Sequence, residues 1–444
     1  MKNNILTTVI SILLLLSIQI SFAQYSFDKE KLDNYFNALE QNNKFMGSVA
    51  VSKNGKIIYE RTIGLADVEN NIKATNLSKY RIGSISKTFT AALILKAHEE
   101  QKLDLTQTID KWFPTIKNSE IITVQNLLNH RSGIHNFTSN QEYLTWHTLP
   151  KTEKEMIEII TKGGSDFSPG SKAQYSNSNY VLLTYILEKT FNKSFSQLLK
   201  EYITDPIGLT NTYVFGKTNV NNSECRSYKF TTSWTLEPET DYTIPLGAGA
   251  IISTASDVTK FADALFGGKI INNESLQIMK NIVDGYGSGI FQIPFYNSIG
   301  FGHTGGIDGF SSVFSHFPDQ NISYALVCNG TNFDNNQISI AVLSALYNKP
   351  YEIPQFSTLN LTSQELDQYL GVYSSNQISL KITITKDGNT LTAQATGQPS
   401  FPLEVIKKDK FKFDKAGIKL QFNPLEKTMI LYQGGAQINF TKEL

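Results

Sequence analysis

The chain has 444 residues, 40% of them hydrophobic and 18% charged, which suits a globular protein with a large core. Lys+Arg and Asp+Glu both number 40, so the formal net charge is zero and bulk electrostatics supply no case for a nucleic-acid partner. Two cysteines in a chain this long exclude a disulfide-dense scaffold, and Cys225 and Cys328 are expected to be free thiols, Cys328 in a buried strand and Cys225 in a polar loop.

In chain order, Met1-Lys2-Asn3-Asn4 supplies a positive charge ahead of the apolar run Ile5 to Ile20, and Ser21-Phe22-Ala23 fits a small-x-small cleavage site. Residues 1–23 are therefore expected to be a removed signal peptide. The mature protein would be periplasmic or secreted, with no stable membrane span. Phe27 to Asn43 places Leu32, Tyr35, Phe36 and Leu39 at helical spacing. Gly47–Ser52 and Ile57–Tyr59 flank Asn54-Gly55, a hairpin signal. The Ala- and Leu-rich run from Ser84 predicts a buried helix, and helical patterns recur over Gln125–Leu128, Asn179–Asn192 and Ala255–Phe266. Ile299 to Asn329 reads as strands separated by Gly305-Gly306-Ile307-Asp308-Gly309 and by Pro318-Asp319-Gln320-Asn321. Strands at both ends with helices between predict an α/β unit over 24–350, its one antiparallel sheet built from the two chain ends beside a helical insertion. After a linker at 351–362, short strand-like runs from Leu380 to Thr441 predict a small closed barrel or sandwich over 363–444.

Three elements carry chemistry. Ser84 and Lys87 are one helical turn apart on one face, so the lysine amine can reach the serine hydroxyl as its base if it is held neutral. Backbone N–H groups at the helix start would lie where an oxyanion develops. Tyr175 and Asn177 point the same way in an extended segment, ahead of a helix expected to begin near Tyr180. A neighbouring ammonium would favour the Tyr175 phenolate, which could exchange protons with the serine or the leaving group. Taken separately, Tyr175 reads as packing and Asn177 as a helix cap. Finally, Gly302-His303-Thr304-Gly305-Gly306 reads as a strand leading into a turn, where small residues admit a ligand to the backbone. Gly306 N–H would face Ser84 N–H across a carbonyl, with the His303 and Thr304 side chains lining the same wall.

Ser84-x-x-Lys87, Tyr175-x-Asn177 and His303-Thr304-Gly305 occur in the order and rough spacing of the penicillin-recognising serine hydrolases. The segments Tyr80–Phe89, Thr123–Ile134 and Gly249–Asp257 are similar to those of the class C β-lactamase and D-alanyl-D-alanine carboxypeptidase family, and the resemblance covers about residues 28–348. It implies a β-lactamase-like sheet domain with a helical subdomain and the site in the cleft between them. The tail resembles the lipocalin-like module often fused to these hydrolases. The implied catalytic groups are Ser84, Lys87, Tyr175 and the Gly306 N–H, with Asn177, His303, Thr304 and Gly305 orienting substrate; base duty stays open between Lys87 and Tyr175. His303 stands where the β-lactamases carry lysine, which points away from β-lactams and towards a D,D-peptidase or D-aminopeptidase-like hydrolase of a small or peptide substrate. A carboxylesterase or weak β-lactamase, and a non-catalytic penicillin-binding sensor, are the alternatives. No His-Glu-x-x-His or paired-Cys spacing is present, so neither metal nor cofactor is expected, and the other histidines carry no expected role.

Overall fold

The computed structural model describes residues 27–231, 233–356, 359 and 361–443; the expected signal peptide and part of the expected linker lie outside the described residues. Helix α1 (Lys29–Gln41) starts at Asp28, whose carboxylate accepts the Lys31 N–H, and it buries the stripe Leu32, Tyr35, Phe36 and Leu39. Strands β1 (Phe45–Lys53) and β2 (Lys56–Ile63) form the expected hairpin. Asn54 and Gly55 turn it with φ of 53° and 73°, the paired positive values that a tight two-residue turn requires.

The other strands of this sheet come from far along the chain: β3 (Phe291–Phe295), β4 (Ser298–Ile307), β5 (Phe310–Phe317) and β6 (Ile322–Thr331). The six lie antiparallel in the order β3-β4-β5-β6-β1-β2, so the first and last segments of the unit meet at β1 and β6, with Ala50 opposite Ala325. Both faces are covered. Ala50, Phe314, Ala325 and Val327 face the main helical core, while Val49, Val51, Tyr324 and Leu326 face α1 and helix Asn335–Leu346. That double burial explains why Ile322–Gly330 is buried without interruption.

The helical core is built on α2 (Ser86–Glu99), α3 (Val124–Leu128), α4 (Asn177–Phe191) and α5 (Ala255–Phe266). Helix α2 is buried on nearly every side, which its small Ala91, Ala92 and Ala97 permit. Phe89 stacks on Phe261 of α5 with ring centroids 3.6 Å apart. The buried threonines of α2 are spent on backbone: Thr88 Oγ1 donates to Gly289 O at 2.7 Å and Thr90 Oγ1 to Gly247 O at 2.8 Å.

Three local expectations are corrected. Gly305, Gly306 and Ile307 belong to β4 itself, and the turn is Asp308-Gly309, with Asp308 at φ 53°. Helix α4 begins at Asn177 rather than near Tyr180, because Ser176 alone adopts the extended cap conformation. Cys225 lies in a loop as expected, but the loop buries it beside Tyr80, where its thiol is pushed up to about 12 by burial; both cysteines are free.

The tail forms a closed barrel of β7 (Gly371–Ser374), β8 (Ile382–Asp387), β9 (Thr390–Ala395), β10 (Phe401–Lys407), β11 (Lys410–Phe413), β12 (Ile418–Asn423), β13 (Thr428–Gln433) and β14 (Ala436–Lys442). The four-residue β7 closes it by pairing with both β8 and β14, an arrangement that a sandwich lacks. Tyr369, Phe411 and Phe422 fill the interior with edge-on and tilted ring contacts. The barrel leans on the start of β1. There Lys44 is ion-paired with Glu404, and the Lys44 and Lys412 ammonium groups lie 5.1 and 4.7 Å from the Phe356 ring.

Candidate active site

Ser84 sits in a 3₁₀ turn, Gly83–Ile85, that runs directly into α2. In a 3₁₀ turn, side chains three apart eclipse, so the turn lays the Ser84 hydroxyl along the Lys87 side chain. Lys87 Nζ lies 3.0 Å from Ser84 Oγ and donates to Asn177 Oδ1 at 2.8 Å and to Ala248 O at 2.7 Å. Lys87 is fully buried, and desolvation holds its amine well below the usual lysine range. No carboxylate accompanies it among these contacts, so nothing there counters the desolvation. The result is an amine pushed towards its neutral form beside a serine hydroxyl.

Asn177 opens α4, its backbone N–H held by Asn136 Oδ1 at 3.0 Å and its Nδ2 by Thr138 Oγ1 at 3.0 Å. Its amide is thereby oriented with the oxygen towards Lys87. Tyr175 lies one residue before the Ser176 cap, its ring 4.9 Å from Lys87 Nζ. The phenolate expectation is overturned. Burial raises the Tyr175 hydroxyl above its ordinary value, the Ser84 hydroxyl lowers it by less, and Tyr286 adds to the rise. Tyr175 is a phenol here, able to donate a proton.

Strand β4 approaches the serine turn through its glycines. A Cβ on Gly305 would lie 2.1 Å from Ile82 O and 2.3 Å from Ser312 Oγ, so only glycine permits this contact. Ser312 Oγ also donates to Ile82 O at 2.8 Å. Gly306 and Ser84 line one cavity of about 600 Å³, together with Asn177 and Ala248. His303 and Thr304 do not share a wall, contrary to expectation, because neighbours on a strand face opposite sides. His303 is buried, 4.3 Å from the Phe291 ring and 6.3 Å from the Tyr175 ring, while Thr304 is exposed; neither lines the cavity. Burial first, and Lys87 second, push the His303 imidazole down to about 3, so it is neutral at pH 7.

Two supports were missed in the sequence. His130 is buried with its ring 4.5 Å from Tyr175 and 5.3 Å from Tyr180, and its Nδ1 accepts the Ser176 N–H at 3.2 Å. It fixes the segment that carries Tyr175. The signal available was its place between Asn129 and Arg131, and its φ of 59° became visible only in the structure. Arg81 is the second. It reaches Asp308 Oδ2 at 3.1 Å, Glu239 Oε2 at 2.9 Å and Thr240 O at 3.1 Å, tying two walls of the cavity to the strand before Ser84. Among the described residues, no group of three or more His, Cys, Asp or Glu side chains could hold a metal ion.

Residues 32–347 match the family described as Beta-lactamase. The chain belongs to the beta-lactamase family. It resembles Penicillin-binding protein 4* of Bacillus subtilis (strain 168), with 24% identity over 452 residues, 92% of this chain and 97% of that one. Teichoic acid D-alanine hydrolase of Staphylococcus aureus (strain MRSA252) is 28% identical over 336 residues, 72% of this chain and 79% of its own. Among solved structures, D-amino acid amidase from Ochrobactrum anthropi SV3, complexed with D-phenylalanine, superposes with a TM-score of 0.63 at 25% identity, covering 71% of this chain and 99% of that one. The family match and these relatives make the chain a penicillin-binding-protein-like serine hydrolase.

Proposed function

We propose that the chain hydrolyses a D-amino-acyl amide, peptide or ester bond outside the cytoplasm through an acyl-Ser84 intermediate. The observation that carries this reading is the buried Lys87 amine 3.0 Å from Ser84 Oγ, where desolvation favours its uncharged form. Ser84 Oγ attacks the carbonyl carbon as its proton passes to Lys87 Nζ. The carbonyl oxygen becomes an oxyanion between the N–H groups of Ser84 and Gly306. The tetrahedral adduct collapses, the leaving group takes a proton from Tyr175, and Lys87 restores the Tyr175 proton. Water then attacks the acyl carbon and passes a proton to Lys87; the second tetrahedral adduct collapses, and Lys87 returns that proton to Ser84 Oγ as the acyl group leaves as the acid. The names of the staphylococcal and Ochrobactrum relatives support a D-amino-acyl group in the substrate. Localisation rests on the expected signal peptide and on the cell-wall polymer named for the staphylococcal relative.

The test is labelling by a fluorophosphonate, followed by turnover of a D-alanyl ester, a D-Ala-D-Ala peptide and a chromogenic cephalosporin. Labelling that disappears in Ser84→Ala and ester or amide turnover are expected. Undiminished labelling of Ser84→Ala overturns the reading.

A further inference from the structure

The cavity that holds Ser84 is lined without a single lysine or arginine. Lys87 stands behind it, its amine held by Asn177, Ala248 and Ser84, and Arg81 is consumed by Asp308, Glu239 and two backbone carbonyls, Thr240 O and Gly216 O. The His303 imidazole is neutral. The one histidine of the lining, His147, engages Leu144 O through Nδ1 at 3.0 Å. A substrate carboxylate therefore finds no fixed positive charge.

The lining does contain carboxylates. Asp308 is fully occupied, receiving Arg81 and the N–H and hydroxyl of Thr240. Glu237 is different. It is half-buried in the wall, and its carboxylate has no hydrogen bond or ion pair to any described residue. Lys229 and Lys415, in an adjoining cavity that Glu237 also borders, make no ion pair with it. Its backbone is not loose. The Glu237 N–H donates to Ser227 O at 2.9 Å at the end of a hairpin that pairs Tyr228–Phe230 with Trp234–Leu236, and Pro238 follows. The chain thus holds an unneutralised negative charge in the wall of the cavity that contains the nucleophile, where water exclusion by a ligand strengthens it.

Resting on the acyl-Ser84 reading, we infer that Glu237 receives the free ammonium group of the substrate. The substrate class is then an ester or amide of an amino acid with an unblocked α-amine, and substrates recognised through a terminal carboxylate are disfavoured. A charge-assisted N⁺–H···O⁻ bond in a partly desolvated cavity is the strong kind, so its loss is visible in specificity.

The experiment compares kcat/KM for D-alanine p-nitroanilide and its N-acetyl derivative, using the full chain and its Glu237→Gln and Glu237→Asp forms. The unaltered protein is expected to prefer the free amine. Glu237→Gln should reduce that preference roughly ten- to a hundred-fold, chiefly through KM, the loss expected for one charged hydrogen bond. Glu237→Asp should recover part of it. An unchanged preference in Glu237→Gln, or a preference for the N-acetyl substrate in the unaltered protein, overturns the assignment. Fluorophosphonate labelling of the same samples separates the two readings: absent labelling refutes the acyl-Ser84 mechanism, and intact labelling with unchanged preference refutes Glu237 alone.

Discussion

Gly83 and Gly306 touch backbone to backbone: a Cβ on Gly83 would lie 2.7 Å from the Gly306 nitrogen and 2.9 Å from its carbonyl oxygen. Gly83 also holds a φ of 50°, so both conformation and space demand glycine. This contact sets the distance between the serine turn and β4, and with it the separation of the two N–H groups assigned to the oxyanion. Gly83→Ala should cost about 1–3 kcal/mol in urea unfolding, the usual penalty for overpacking and strained backbone. Its fluorophosphonate labelling should slow as well. Unchanged unfolding and labelling would show that the turn adjusts freely.

Tyr175→Phe isolates the phenol. The ring contact with His130 at 4.5 Å is kept, so folding should be unaffected, while the proton donor is lost. A fall in kcat of about 10²–10⁴ with little change in KM is expected for the loss of a general acid. Steady-state kinetics on an activated ester and on an amide check it, and the amide, with the poorer leaving group, should suffer more.

Stability should fall in acid. Burial lowers the folded-state value of His303 from 6.5 to about 3 and that of His316 to about 4. Both rings stay neutral in the folded chain while the unfolded chain takes up protons, so their contribution is complete above about pH 6.5 and lost as pH falls towards 3–4. Urea midpoints measured across this window should decline, and His303→Gln should flatten the decline. A midpoint that does not respond to this substitution would contradict the His303 assignment.

Arg81→Met should be among the most damaging substitutions outside the site. The Arg81 and Asp308 side chains are each 2% exposed, and removing the guanidinium leaves a buried carboxylate without its partner. Breaking such a pair costs about 3–5 kcal/mol. Calorimetry or urea unfolding reads the loss, and the double variant Arg81→Met/Asp308→Asn should recover a substantial part.

Much of the fold is legible locally. Asn54-Gly55 marks its hairpin because few residue pairs tolerate two positive φ values, and Ala255–Phe266 is helical over the span its apolar spacing indicates. Gly305-Gly306 is not legible in this way. Two glycines in succession look like a turn, yet here they lie within a strand because the Ser84 turn presses against them from 220 residues earlier. The short β7 escapes notice for a related reason: only closure against β8 and β14 makes it a strand.

The sequence by itself determined which groups are present and in what order: a serine and a lysine one turn apart, a Tyr-x-Asn pair, and a glycine-bearing strand. Spacing is a local property, and helix and strand periods translate it directly into which side chains can meet. Only the tertiary structure decided their protonation and their directions. Lys87 is pushed towards its neutral form because α4, Ala248 and the Tyr175 and Tyr180 rings close around it from distant parts of the chain. Desolvation is a sum over everything packed nearby, and no window of sequence contains that sum.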